Sequence, residues 1–404
     1  MNNSRVSVPV SVWSAKPRSD LALVGVVLVL TAALGWLGAF AVPRSIDPAT
    51  TADAAADWLV ASAFADGLNP HNNLRELADH YQVEFWGSGQ GDGRVLKSPR
   101  TPGALLVLYP LSWVSAEQAV TAMLLVGLLS IAIAVIALGK TFNLPWITIC
   151  LGIAYATVSG PARWSHLFGT QEPFLLLCVA MFLVLVSRDD KLWAGIWLGV
   201  AGSLKLFPLV LIAVLISRRR TKGLVAAVAT LGILNLTPLL LPHVSLTSTV
   251  DAITSTAANW FDVEANVGLS ASLGRVFPVT TTLAVIVGAC LVFAAWYLVF
   301  RRPEHLGASS AFLICIGILA LPLAWPHYIL VAVPAVLLGL HERILTRWQF
   351  IALLVGIVMT IPVHSIGLLT SGTALLAAVF AYSMWNHQSH GRNGSLQDPM
   401  TEPV

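Results

Sequence analysis

Asp53 and Asp57 stand four residues apart at the start of the Ala-rich stretch DAAADWLVASAFADGLNPH, which runs from Asp53 to His71. An Ala-rich run reads as helix, and on a helix this spacing puts both carboxylates on one face, about 6 Å apart. Like charges so close resist joint ionisation, which raises one pKa toward the range of a general base. Acids in a first helical turn also favour the helix dipole with no chemistry attached. Spacing alone leaves both readings open, and with them the choice between the two acids. The surroundings favour chemistry, because the segment from Arg44 to Pro102 holds thirteen of the forty-three charged residues in a chain that is 56% hydrophobic.

The other elements must hold this charged segment against an apolar solvent. With 404 residues and a mean hydropathy of +0.78, the chain contains many uncharged runs near the ~20 residues that cross a bilayer. The expected fold class is an all-α polytopic membrane protein. Cys150, Cys178, Cys290 and Cys315 all lie inside apolar runs, which offers neither a disulfide framework nor a C-x-x-C metal site. The net charge of +3 points to sidedness in a membrane and away from nucleic acid.

The first run, Leu21 to Val42, is twenty-two residues long and exceeds the ~7–15 of a signal peptide, so it is expected to stay as an anchor. Further runs fall near 117–138, 145–158, 172–187, 192–217, 224–241, 279–300, 307–325, 327–340, 348–361 and 366–385. If the N-terminus is cytoplasmic, fifteen basic residues lie inside and eight outside, as the positive-inside rule requires. That count closes only if 192–217 is a hairpin broken around Ser203 to Pro208, since both its ends carry basic clusters. Pro208 and the isolated Lys205 support the break. About twelve crossings follow, with ten to thirteen allowed, and Gly103 to Val114 is too short to cross and reads as re-entrant. The expected organisation is a cytoplasmic tail (1–20), one transmembrane domain (21–386) with an extracytoplasmic catalytic loop (44–102), and a disordered cytoplasmic tail (387–404).

This arrangement gathers the remaining polar residues on the non-cytoplasmic side: the Asp53 loop, Gln171, the Lys205 turn, Asn266, Arg275, and Trp325-Pro326-His327. No G-x-x-x-x-G-K-[ST], G-x-G-x-x-G or H-E-x-x-H is present, so ATP coupling, dinucleotide redox and zinc hydrolysis lack their residues. A lipid-borne activated sugar fits better. It needs cations for its phosphate, a carboxylate to take the acceptor's proton, and apolar grooves for its tail. A transporter or flippase of such a lipid is the alternative. It would show internal repeats and midplane polar residues, and neither is visible.

Several landmarks, in order, carry a family resemblance. They are Asp53 and Trp58 followed by Gly67, Asn69, Pro70 and His71; Pro102 to Pro110; Gly169-Thr170-Gln171-Glu172-Pro173; Lys205-Leu206-Phe207-Pro208; Asn266, Ser270 and Arg275; and Trp325-Pro326-His327-Tyr328. From about residue 50 to 340 the chain resembles glycosyltransferase family 87 of the GT-C superfamily, which includes polyprenyl-phosphate-mannose-dependent mannosyltransferases. The resemblance implies a GT-C fold and Asp53 as the catalytic base, with Asp57 where an aromatic is usual. It also implies Lys205, Arg275 and His327 near the donor phosphate, His327 with a catalytic share, and Trp58, Asn69, Gln171, Asn266 and Trp325 as substrate-binding residues. Gln171 departs from the family pattern by an extra residue and a missing Asn. The expected activity is inverting transfer of a sugar, mannose first and arabinofuranose next, from a polyprenyl phosphate to a glycolipid or glycan acceptor. It is expected at a bacterial plasma membrane by a monomer, with membrane lipid but no nucleic acid as partner. No cofactor is called for, and a divalent cation stays open.

Overall fold

The computed structural model describes residues 52–83, 96–361 and 366–394, apart from 262, 264, 276, 278, 279, 343 and 344, together with positions 25, 27 and 30 of the first run. The N-terminal tail (1–20), most of the Leu21–Val42 anchor and residues 395–404 lie outside the described residues.

Among the described residues the chain is helical, with one isolated bridge between Asn73 and Lys97 in place of any strand. The charged segment after the first apolar run supplies α1 (Ala52–Ala65) and α2 (Leu74–His80). Next comes α3 (Pro102–Leu108), running into a 3-10 turn at Tyr109–Trp113, then α4 (Ala116–Phe142), α5 (Trp146–Val158), α6 (Gly160–Phe168) and α7 (Glu172–Ser187). The run 191–217 becomes α8 (Lys191–Leu204), a 3-10 turn (Phe207–Leu211) and α9 (Ile212–Ser217). After it come α10 (Thr221–Leu239), α11 (Leu246–Trp260), α12 (Leu269–Gly274), α13 (Thr281–Phe300) and α14 (Leu306–Ala320). A 3-10 segment (Pro326–Ala332), α15 (Val333–His341), α16 (Arg347–Met359) and α17 (Ile366–Gly394) complete the chain. The last helix continues past the boundary expected at 386.

Among the described residues four helices are long and apolar enough to cross a membrane: α4, α10, α13 and α17 as far as Trp385. Seven further apolar stretches are shorter. Caps set several of these starts. Ser115 and Gln118 close a capping box on α4, Thr346 and Gln349 do the same on α16, and each such cap contributes roughly 1 kcal/mol. The core centres on α7, which is apolar all round and nearly all buried, the pattern of a helix surrounded by others. It packs against α4, α8, α15 and the 326–332 segment.

The run 191–217 is a hairpin. Lys205 is extended (φ −146°, ψ 138°) where α8 ends, and the basic residues at the two ends meet, because Arg220 pairs with Asp189 beside Lys191. At 1.5 Å per residue α8 spans about 21 Å, well short of the ~30 Å hydrocarbon layer, so the turn lies sunk within the helical body. Gly202 permits the tight return, since a Cβ there would lie 2.3 Å from Leu209 Cδ2. Gly202→Ala should therefore destabilise the protein by the ~1–3 kcal/mol of an overpacked core and lower its apparent Tm. In a Leu209→Ala background the same change should be neutral or stabilising, because the clash is gone and alanine is the better helix former. Melting the four proteins in detergent checks both outcomes.

Candidate active site

Six chain segments meet around one cleft. They are the start of α1, the start of α2 at Leu74, the strap 96–101 that leads into α3, the turn at Lys205, the end of α11, and Trp325 to Tyr328. The cleft is lined by Asp53, Lys97, Ser98, Arg100, Lys205, Thr256, Trp260, Trp325, His327 and Tyr328 among others, and encloses about 120 Å³. That is room for on the order of ten water-sized probes at ~10–15 Å³ each, comparable with one monosaccharide.

The strap holds its position through contacts along its length. Leu74 N donates to Leu96 O at 2.8 Å, Thr256 Oγ1 to Lys97 O at 3.1 Å, and His71 Nδ1 lies 3.3 Å from Ser98 O. Burial lowers the pKa of His71, so this clamp is a neutral ring. Thr101 caps α3 and donates its hydroxyl to Ser203 O at the end of α8. Arg100 is thereby placed between Asp53 and Asp57.

The two acids of α1 have different surroundings. Asp57 is fully buried and does not line the cleft. Arg100 Nε donates to its Oδ1 at 2.6 Å, and Gln171 Nε2 to its Oδ2 at 2.8 Å. Burial works against the charge of Arg100, and the carboxylates of Asp57 and Asp53 outweigh it, raising the guanidinium pKa. Asp53 is half-buried and opens on the cleft; among the described residues no ion pair or hydrogen bond holds its carboxylate. Removal from water raises its pKa to about 6 against the pull of Arg100 and Lys205, with Asp57 and Glu172 adding to the rise.

The second cation repeats the pattern. Lys205 lines the cleft, donates to Glu172 Oε1 and sits 3.9 Å from the centre of the Tyr328 ring. Glu172 is fully buried behind it at the start of α7, with His327 Nε2 3.7 Å from the same Oε1. Each cation of this pair is thus backed by a carboxylate outside the cleft. Gln171 and Glu172 are neighbours, so one peptide ties both pairs together. That peptide follows Gly169, whose φ of +62° ends α6 and which presses on α1, where a Cβ would lie 2.5 Å from Ala54 Cβ.

Of the residues singled out from sequence, the cleft gathers Asp53, Lys205, Trp325 and His327, with Asp57 and Gln171 directly behind. It does not gather the rest. Trp58 donates its indole N–H to Val114 O at 2.9 Å and packs on Tyr81. Asn69 Oδ1 accepts from His71 N in a turn. Asn266 is buried and donates to Phe261 O and Pro322 O while accepting from Gly268 N and Ala324 N, which pins the turn before Trp325. Arg275 is exposed and donates to Val263 O and Asn266 O of its own loop, and it does not line the cleft. Sequence reading puts Arg100 and Glu172 on the same predicted face but assigns neither them nor Trp260 a part in the site. An acid such as Glu172, opening an uncharged helix, requires a buried partner, and that signal could have found it.

Asp53 has a folded pKa above its unfolded one, so its ionised form is disfavoured in the folded state. Its cost is absent below about pH 4, where the carboxyl is protonated in both states, grows as pH rises through 6, and is constant beyond. Asp53→Asn should therefore raise the apparent Tm at pH 7–8 and leave it unchanged near pH 4. Thermal melts across that range read the difference directly. Asp57→Asn should lower Tm at pH 7–8, since it leaves Arg100 buried without its ionic partner, at a cost of about 3–5 kcal/mol.

Residues 101–326, more than half of the chain, match the model of glycosyltransferase family 87. Gln171, Glu172, Lys205, Asn266, Arg275 and Trp325 fall inside that match, while Asp53, Asp57, Arg100 and His327 lie outside it. No curated protein matches the chain. With this match over more than half of its length and four apolar spans among the described residues, the chain belongs to glycosyltransferase family 87 and is a membrane glycosyltransferase.

Proposed function

We propose that the protein moves a sugar from a polyprenyl-phosphate donor to a hydroxyl of a glycolipid or glycan acceptor, with inversion, at the extracytoplasmic face of a bacterial plasma membrane. Mannose is the first candidate sugar and arabinofuranose the second. The observation that carries this reading is the asymmetry of the cleft: Asp53 is its one carboxylate, held by no partner among the described residues, beside two cations whose charges are already balanced from behind.

In this reading Asp53 takes the proton of the acceptor hydroxyl as its oxygen attacks the anomeric carbon. The bond from that carbon to the phosphate oxygen breaks, and the polyprenyl phosphate departs with the electron pair. A phosphodiester with one negative charge becomes a monoester with two. Arg100 and Lys205 thus meet more charge in the transition state than in the ground state, the condition under which binding becomes catalysis. His327 completes the cradle. A retaining double displacement would need carboxyls flanking the sugar about 5–5.5 Å apart; Asp57, buried beneath Arg100 and Gln171, flanks nothing. The reaction needs no cofactor in this scheme, a monomer suffices for it, and membrane lipid supplies the route for the donor tail. About twelve crossings, with the site opposite the basic rim around Asp189 and Arg220, complete the proposed topology.

Asp53→Asn should lower turnover about 100-fold or more with donor KM nearly intact, and the wild-type rate should fall below about pH 6 as the base is protonated. Arg100→Ala and Lys205→Ala should instead weaken donor use about 10-fold or more, in line with ~1.5–3 kcal/mol for a hydrogen bond to a charged group. Turnover of a polyprenyl-phosphate sugar by purified protein in detergent is the measurement, and an active Asp53→Asn would overturn the assignment. Since detergent leaves no membrane to cross, such turnover would also set the protein apart from a flippase.

The topology has its own test. A cysteine at the exposed Thr247 should react with a membrane-impermeant maleimide on intact cells, and one at the exposed Thr221 should not. Labelling at Thr221 would reverse the sidedness.

A further inference from the structure

The proposed chemistry uses the deep wall of the cleft and leaves its other wall unexplained. That wall is α11, a polar helix between two candidate spans, α10 and α13. It is tied to the strap at three points: Asp251 to Lys97, Thr256 Oγ1 to Lys97 O, and Thr249 Oγ1 to the His71 ring that also meets Ser98 O. Its last residue, Trp260, lines the cleft with its ring centre 6.1 Å from that of Trp325 and the two planes 60° apart. Two half-buried indoles tilted toward each other form an open corner, with Thr256, Lys97 and Ser98 beside it.

Such a corner matches the chemistry of a sugar. A pyranose or furanose ring has a face of C–H groups that packs on an aromatic plane, and a hydroxyl edge that the neighbouring Thr, Lys and Ser can read. The two substrates must divide the cleft. The donor's phosphate is bound to the cations, and Lys205 and His327 stand on the sunken hairpin turn and the buried start of the 326–332 segment. The acceptor comes from the aqueous side, where α11 lies. We propose that Trp260, together with Trp325, is the platform on which the acceptor sugar stacks, so that α11 determines which acceptor is glycosylated. This rests on the glycosyl-transfer reading above and assigns the second half of the same cleft.

The test uses the full-length protein in detergent, a short-chain polyprenyl-phosphate mannose as donor, and octyl α-mannoside and octyl β-glucoside as acceptor probes. Trp260→Ala should raise the acceptor KM about 10-fold while donor KM stays within about twofold, and Trp260→Phe, which keeps an aromatic face, should stay within about threefold of wild type. Cutting the distant tether with Asp251→Asn should raise acceptor KM about two- to threefold. An unchanged acceptor KM in Trp260→Ala, or a change confined to the donor, overturns the proposal. Binding is read separately by fluorine NMR of protein carrying 5-fluorotryptophan, with the Trp260 resonance identified from its loss in Trp260→Phe. A saturable shift of that resonance with the octyl glycosides is expected, and its absence overturns the platform. If wild-type protein turns over no polyprenyl-phosphate sugar while the resonance shifts, the donor assignment fails and the platform stands.

Discussion

Burying charge is the constraint on which this molecule depends. Three carboxylates and two cations are withdrawn from water around one cleft, in surroundings where an isolated ion costs several kcal/mol. The arrangement survives because the ions are paired unequally. Asp57 answers Arg100 and Glu172 answers Lys205, both from positions outside the cleft, which leaves the cations fixed and still facing inward. Asp53 is the remaining charge. Its raised pKa expresses the cost of keeping a carboxylate without a counter-ion, and that cost suits the group to the base's part proposed for it.

Helix length determines where such a cluster can exist. α7, α8 and α14 have 14–16 residues, about 21–24 Å of rise, so none reaches across the hydrocarbon on its own. Their ends stop at intermediate depth, where unpaired backbone groups and buried charges would both be intolerable against lipid. The full-length spans wall this interior off, since α10 and α13 turn most of their apolar surface outward. The cleft is therefore a product of helices that are too short, enclosed by helices that are long enough.

Much of this was legible in the sequence, for physical reasons. The break at Lys205 could be read because a lone cation and a Pro interrupt an apolar run whose ends are both basic, and α1 could be read from its alanines. Asp53 and Asp57 stood out together through their setting, and only the family resemblance singled out Asp53. The partners of these residues were harder to see. Arg100 lies on an irregular strap with no period, forty-three positions from the Asp57 it serves, and nothing local announces that contact. Trp260 ends a polar helix just as an interfacial anchor would. Asn266 and Arg275 match family landmarks in type and order, yet their hydrogen-bonding groups are directed to backbone carbonyls and amides of their own loop and the turn beside it, an allocation that only tertiary structure reveals.

The turn from Gly169 to Glu172 behaves as a caliper. Its glycine rests against Ala54 beside Asp53, its glutamine holds the carboxylate under Arg100, and its glutamate holds Lys205. Three groups on three separate segments are thus referred to one stretch of four residues, with adjacent Cα atoms only ~3.8 Å apart. The opening between Asp53 and the two cations is then a single dimension, so that a shift of one jaw carries the others with it.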